Sequence, residues 1–150
     1  MTGVQNRVVF DRRRDDVIAR LYQAHHQSDV ALARLAEAEA ILAPALGKTS
    51  PYVGWMVYHS RGQVLAELHR NDEAAASFEA ALATKMAPIG ESLTQFDLGR
   101  SLWDTGRPQA RLRAVGLVRQ ARAALITSGT RYQELVTRID QWLKRYVPAQ

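Results

Sequence analysis

Four histidines, His25, His26, His59 and His69, are the side chains here best suited to hold a metal ion or to move a proton near neutral pH. Their spacing supports neither task. His25 and His26 are adjacent, so on a helix they point to different sides, and no two histidines stand one helical turn apart. No His-Glu-x-x-His pattern exists. Cysteine is absent, which removes thiolate metal sites, cysteine nucleophiles and disulfides together. The serines are scattered, and none sits at the sharp glycine-flanked turn that a nucleophilic serine needs. Asp97 and Glu91 are more than a helical turn apart, across an expected helix start, and make no acid/base carboxylate pair. The expectation is a protein that is no enzyme and holds neither cofactor nor metal.

Arginine carries most of the charge chemistry. The net charge is +5, and lysine stands only at Lys48, Lys85 and Lys144. A basic chain attracts phosphates and acidic partners. Two features could do so: the Arg12-Arg13-Arg14 run, and a stripe of Arg111, Arg119 and Arg122 with Val115 between them. Yet Asp15 and Asp16 follow the first, and the arginines are spread through segments that also carry Glu and Asp. No basic run interleaves with aromatics. Weak binding of nucleic acid or an acidic partner through these faces stays an alternative to protein binding.

The elements that would position these residues are helices. Apolar residues recur at helical spacing, and no alternating strand pattern competes. Residues 1–14 form an expected basic arm, and a helix is expected to start near Asp15, with Ile18, Leu21, Tyr22 and His25 on one stripe. Ser28 or Asp29 caps a second helix from Val30 to about Leu46, carrying Ala31, Leu35, Ala38, Leu42 and Ala45. Pro44 kinks or ends it, and Gly47 is a further stop. Ser50 and Pro51 open the next helix, where Trp55, Tyr58, Gly62 and Leu65 share a face flanked by Val57, Val64 and Leu68. A polar turn at His69-Arg70-Asn71-Asp72 leads to a stripe of Ala74, Phe78, Ala81 and Leu82. That helix is expected to end at Met86-Ala87-Pro88-Ile89-Gly90.

Ser92 and Gln95 fit a capping box for a helix carrying Leu98, Leu102 and the Phe96, Gly99, Trp103 row. Gly106 stops it and Pro108 starts another, with Ala110, Ala114, Leu117, Ala121 and Leu125 facing inward. Thr130 and Gln133 fit a second capping box. The last helix has Leu135, Ile139, Trp142 and Tyr146 on one row and ends before Pro148. The expected caps Ser50, Ser92 and Thr130 are about 40 residues apart, the pitch of a helix-hairpin array. No apolar run approaches the ~18 residues of a membrane span, and the start has no secretory apolar stretch, so a cytoplasmic location is the default expectation.

Tyr58, Gly62, Leu65, Ala74, Phe78, Ala81 and Leu82 together resemble the tetratricopeptide repeat, a hairpin of roughly 34 residues. Its small residues let two helix backbones meet, and an aromatic fills the space beside them. His69 stands at that family's usual turn glycine, and Arg61 at a usual leucine. A second copy keeps Leu98, Gly99, Leu102 and Gly106. It needs about three more residues before Ala114, Val118 and Ala121 fall into place, with Val118 replacing the aromatic. This spaced-out form is similar to the longer-pitch repeats of kinesin light chains. The segments around 98–103, 118–125 and 141–143 are similar to C-terminal repeat regions of bacterial serine/threonine kinases. Kinase loops are absent from the chain.

The resemblance implies an all-α, right-handed α-α superhelix. It would comprise about three hairpins, near 15–46, 52–86 and 93–126, and a capping helix at 131–147. It also implies a concave groove for a peptide or protein partner. Carried onto this chain, the groove positions are His59, Gln63 and Glu67, then Phe96, Arg100, Trp103 and Asp104. Arg100 and Trp103 suit an interface by residue type as well, since arginine and aromatics anchor interfaces. Trp103 has a second reading, in which it packs against a neighbouring helix. The expected role is a non-catalytic protein-binding module, with a self-associating scaffold as an alternative.

Overall fold

In the computed structural model, which describes residues 27–42 and 52–148, every regular element is helical. The chain is all-α. The elements are α1 (Ser28–Leu42), α2 (Tyr52–Glu67), α3 (Asn71–Leu82), α4 (Pro88–Asp104), α5 (Pro108–Thr127) and α6 (Gln133–Tyr146), with a 3-10 turn at Thr130–Tyr132. The arm at 1–14, the helix expected from Asp15, the stops at Pro44 and Gly47 and the start at Ser50-Pro51 lie outside the described residues. The chain divides between Lys85 and Met86 into two compact units.

In the first unit, α2 is central. Ala31 and Leu35 of α1 pack with Val64, beside half-buried Leu68, whereas Ala38 packs with Val57 beside Val53. Rising residue numbers on α1 meet falling numbers on α2, so the two helices run antiparallel. Arg61 bonds Glu39 at 2.9 Å across this seam. Burial and the neighbouring Glu39 carboxylate raise the Tyr58 phenol above its ordinary pKa. On its other side α2 meets α3 at Gly62, where an added Cβ would lie 2.6 Å from the Phe78 ring. Ala74, Phe78 and Ala81 are all buried at that crossing.

The turn between α2 and α3 closes as a Schellman motif. The Arg70 amide donates to the Leu65 carbonyl at 2.9 Å, and the His69 amide to Ala66 at 3.0 Å. His69 has φ +57°, the left-handed region that glycine occupies freely. His69→Gly is therefore expected to raise stability. The left-handed conformation costs a non-glycine residue about 1–2 kcal/mol, while glycine's looser unfolded chain returns roughly half of that. A urea midpoint that rises with an unchanged slope would agree. A lower midpoint would mean that the exposed imidazole makes a contact worth more than the strain.

The second unit repeats this device with one change. Gly99 of α4 meets α5, and a Cβ there would lie 2.5 Å from Val118 Cγ2 and 3.1 Å from the Ala114 carbonyl oxygen. Gly106, with φ +76°, takes the turn position equivalent to His69. Both turns have the same length, so the additional residues before Ala114 do not lengthen the loop. They add close to one turn at the start of α5, which keeps the crossing residues on the same face. Ala114, Val118, Ala121 and Leu125 are buried along that face, while Leu117 and Ala110 are only half-buried.

Two expected caps are corrected. α4 starts at Pro88, behind Ala87 in extended conformation, not at Ser92. Proline at the first helical position lacks an amide that would be unpaired there anyway, and its fixed φ suits the helix. Ser92 is therefore buried inside α4, and Gln95 Nε2 donates to the Glu91 carboxylate at 3.4 Å instead of reaching back to an amide. Thr130 sits in the 3-10 turn, after Gly129 at φ +87°, and caps nothing with its side chain. The stops at Gly106 and before Pro148 and the start at Pro108 are as expected.

Candidate functional site

α4 is buried on nearly every side. From Ser92 to Leu102, Arg100 is its one largely exposed residue. Its guanidinium lies 3.6 Å from the Asp97 carboxylate and 5.7 Å from the centre of the Phe96 ring. Phe96 itself is in the core with Val118, Ala121, Leu125, Val136 and Ile139, which joins α4, α5 and α6.

α6 presents two stripes because 3.6 residues make a turn. Val136 and Ile139 are buried against the core, while Leu135, Trp142 and Tyr146 are half-buried. Arg138, Gln141 and Arg145 follow on the exposed edge of the aromatic row. Glu134 in the first turn and Lys144 and Arg145 in the last complement the helix dipole. Arg122 of α5 is bonded to Asp140, which ties α6 to its neighbour and holds the Arg122 guanidinium above its ordinary pKa.

These helices enclose an open cleft of about 310 Å³ between Phe96 and Arg100 of α4 and Arg138, Gln141, Trp142, Arg145 and Tyr146 of α6. Its floor is an aromatic cluster. The Trp142 ring meets Phe96 edge-on at 6.5 Å and Trp103 at 5.4 Å, and Tyr146 lies 5.3 Å from Trp142. Its rim is guanidinium: Arg100 over Phe96 and Arg145 over Tyr146, the latter at 5.4 Å. No carboxylate lines the cleft.

Of the residues expected to contact a partner, Arg100 and Phe96 come together at this cleft. Trp103 belongs to the packing beneath it, 5.5 Å from Tyr146 and covered by the Arg111 guanidinium at 4.8 Å. The second reading of Trp103, as a packing residue, is the one that its surroundings favour. His59 is corrected. It is buried, stacked on Trp55 at 5.3 Å and 5.5 Å from Phe78, so it packs the first hairpin and presents no open face. Gln63 is half-buried, and Glu67 and Asp104 are exposed.

In the arginine stripe on α5, Arg119 is exposed, whereas the other two arginines have partners. Arg111 donates to the Trp103 carbonyl at 3.3 Å, and Arg122 is paired with Asp140. Sequence reasoning missed Arg138, Gln141 and Arg145, although their spacing beside Trp142 and Tyr146 is a signal: two cations two turns apart along an aromatic row, with an amide between them. Among the described residues, no cluster of His, Cys, Asp or Glu could hold a metal, and no helix is long and apolar enough to cross a membrane.

The class defined by fold and site is an all-α protein of helical hairpins with an arginine-rimmed aromatic cleft. In comparison with known proteins, the chain matches no family model, and neither a curated protein nor a solved structure is significantly similar to it.

Proposed function

We propose that the chain is a tetratricopeptide-like repeat module, a right-handed superhelix that acts without catalysis in the cytoplasm by binding a peptide or protein partner. The observation that carries this reading is the cleft: a concave aromatic floor with exposed arginines at its rim, of the composition that anchors interfaces. The repeat reading draws support from the two hairpins. Each has a close-approach glycine, Gly62 or Gly99, against Phe78 or Val118, and a left-handed residue at the same offset, His69 or Gly106.

Arg100 and Arg145 are the residues to test, because both are exposed and neither supports the core. Trp103 is unsuitable, since truncating it would disturb Trp142 and Tyr146 as well. Arg100→Glu combined with Arg145→Glu is expected to cut capture of a partner in a pull-down from lysate by about tenfold or more, as loss of interface anchors does. Far-UV circular dichroism should stay unchanged. Undiminished capture by the double variant would move the binding surface away from the cleft.

A further inference from the structure

We infer that the cleft between α4 and α6 receives a phosphotyrosine side chain of the partner, an inference that rests on the protein-binding reading above. Three guanidinium groups, from Arg100, Arg138 and Arg145, line the cleft with no carboxylate in its lining, and the Asp97 carboxylate lies 3.6 Å from Arg100. Arg138 and Arg145 have no ion pair among the described residues. The surplus is therefore about two positive charges. A phosphate monoester brings about −1.5 to −2 at neutral pH with three acceptor oxygens, and the arginine fork matches it bidentately. A glutamate brings half that charge.

The floor narrows the choice among phosphorylated side chains. Half-buried Trp142 and Tyr146 offer ring surface, which a phosphoserine would leave to water but a phosphophenyl ring would cover. Arg138 and Arg145 are two turns apart, about 10 Å along the helix axis, with Gln141 between them as a further donor. Their flexible stems can close on one phosphate from both sides while Arg100 approaches from α4. A volume of about 310 Å³ is at the lower end of small-ligand sites, ~300–1,000 Å³. It suits one ring-bearing side chain and excludes a helix.

The test uses four fluorescent pools of degenerate peptides with a fixed central residue, phosphotyrosine, tyrosine, glutamate or phosphoserine, titrated against the full chain by fluorescence anisotropy. The phosphotyrosine pool should bind at least tenfold more tightly than each of the others. Arg138→Ala with Arg145→Ala should remove that preference, and the two Arg→Lys substitutions should restore only part of it, because an ammonium cannot form the fork. Equal binding of the glutamate or phosphoserine pool, dependent on the same arginines, would overturn the phosphotyrosine assignment and leave protein binding standing. Binding of a fluorescent adenosine monophosphate analogue, dependent on the same arginines, without binding of the phosphotyrosine pool would overturn the assignment in favour of a small ligand. Binding of no pool at all would count against both readings.

Discussion

Gly99→Val is expected to be the most damaging single substitution in the second unit. The new Cβ would fall 2.5 Å from Val118 Cγ2 and 3.1 Å from the Ala114 carbonyl oxygen, and its two methyls would extend further into α5. Val118 can change rotamer only into a core in which it is fully buried, and the carbonyl belongs to a helix backbone that cannot turn aside. Overpacking of a full core costs about 1–3 kcal/mol, and a clash with backbone puts this variant at or above the upper end. The measurement is urea unfolding followed by tryptophan fluorescence. Gly116→Ala on α5 is the control: nothing lies within 4 Å of its added Cβ, so helix propensity alone should stabilise it by up to about 1 kcal/mol. A Gly99→Val protein as stable as the wild type would mean that α4 and α5 are further apart than this crossing places them.

Phe78→Ala should cost about as much in the first unit, by the opposite route. Phe78 is 1% exposed, faces Gly62 and lies beside His59. Truncation would leave a void that Gly62, lacking a side chain, cannot fill, and would remove one of the two rings against which His59 packs. Loss of a buried phenyl costs about 3–5 kcal/mol when the site cannot collapse. Chemical denaturation measures the loss directly. A cost near 1 kcal/mol would show that α2 and α3 close over the gap.

The glycine and alanine positions at the helix crossings were readable because a close approach is written locally. A small residue on one helix faces an Ala and a bulky residue at fixed offsets on the next, and these are Gly62 with Ala74 and Phe78, and Gly99 with Ala114 and Val118. Helix starts were less readable, since Ser-x-x-Gln inside a helix is the same string as a capping box. The helix start is ambiguous in sequence because Pro88 reads equally as a breaker and as a first helical residue.

The cleft was half readable. Arg100 followed from the α4 pattern, but His59 did not declare its burial, because an imidazole between Trp55 and Phe78 is a packing group that residue type alone does not distinguish from a ligand. Arg138 and Arg145 stand outside the apolar row by which the last helix is recognised in the sequence. Which of its exposed residues border a concavity depends on how α6 lies against α4, and no local pattern carries that.

The aromatic floor also gives the molecule an optical property. Trp103 and Trp142 cross at 78° with ring centres 5.4 Å apart, one on α4 and the other on α6. Indoles so close and so strongly inclined couple their strong short-wavelength transitions, which produces a paired signal of opposite signs in the far-ultraviolet dichroism. The third tryptophan, Trp55, is stacked on His59. The coupled pair exists only while the last helix is seated, so the protein carries its own spectroscopic reporter of that docking, with no label needed.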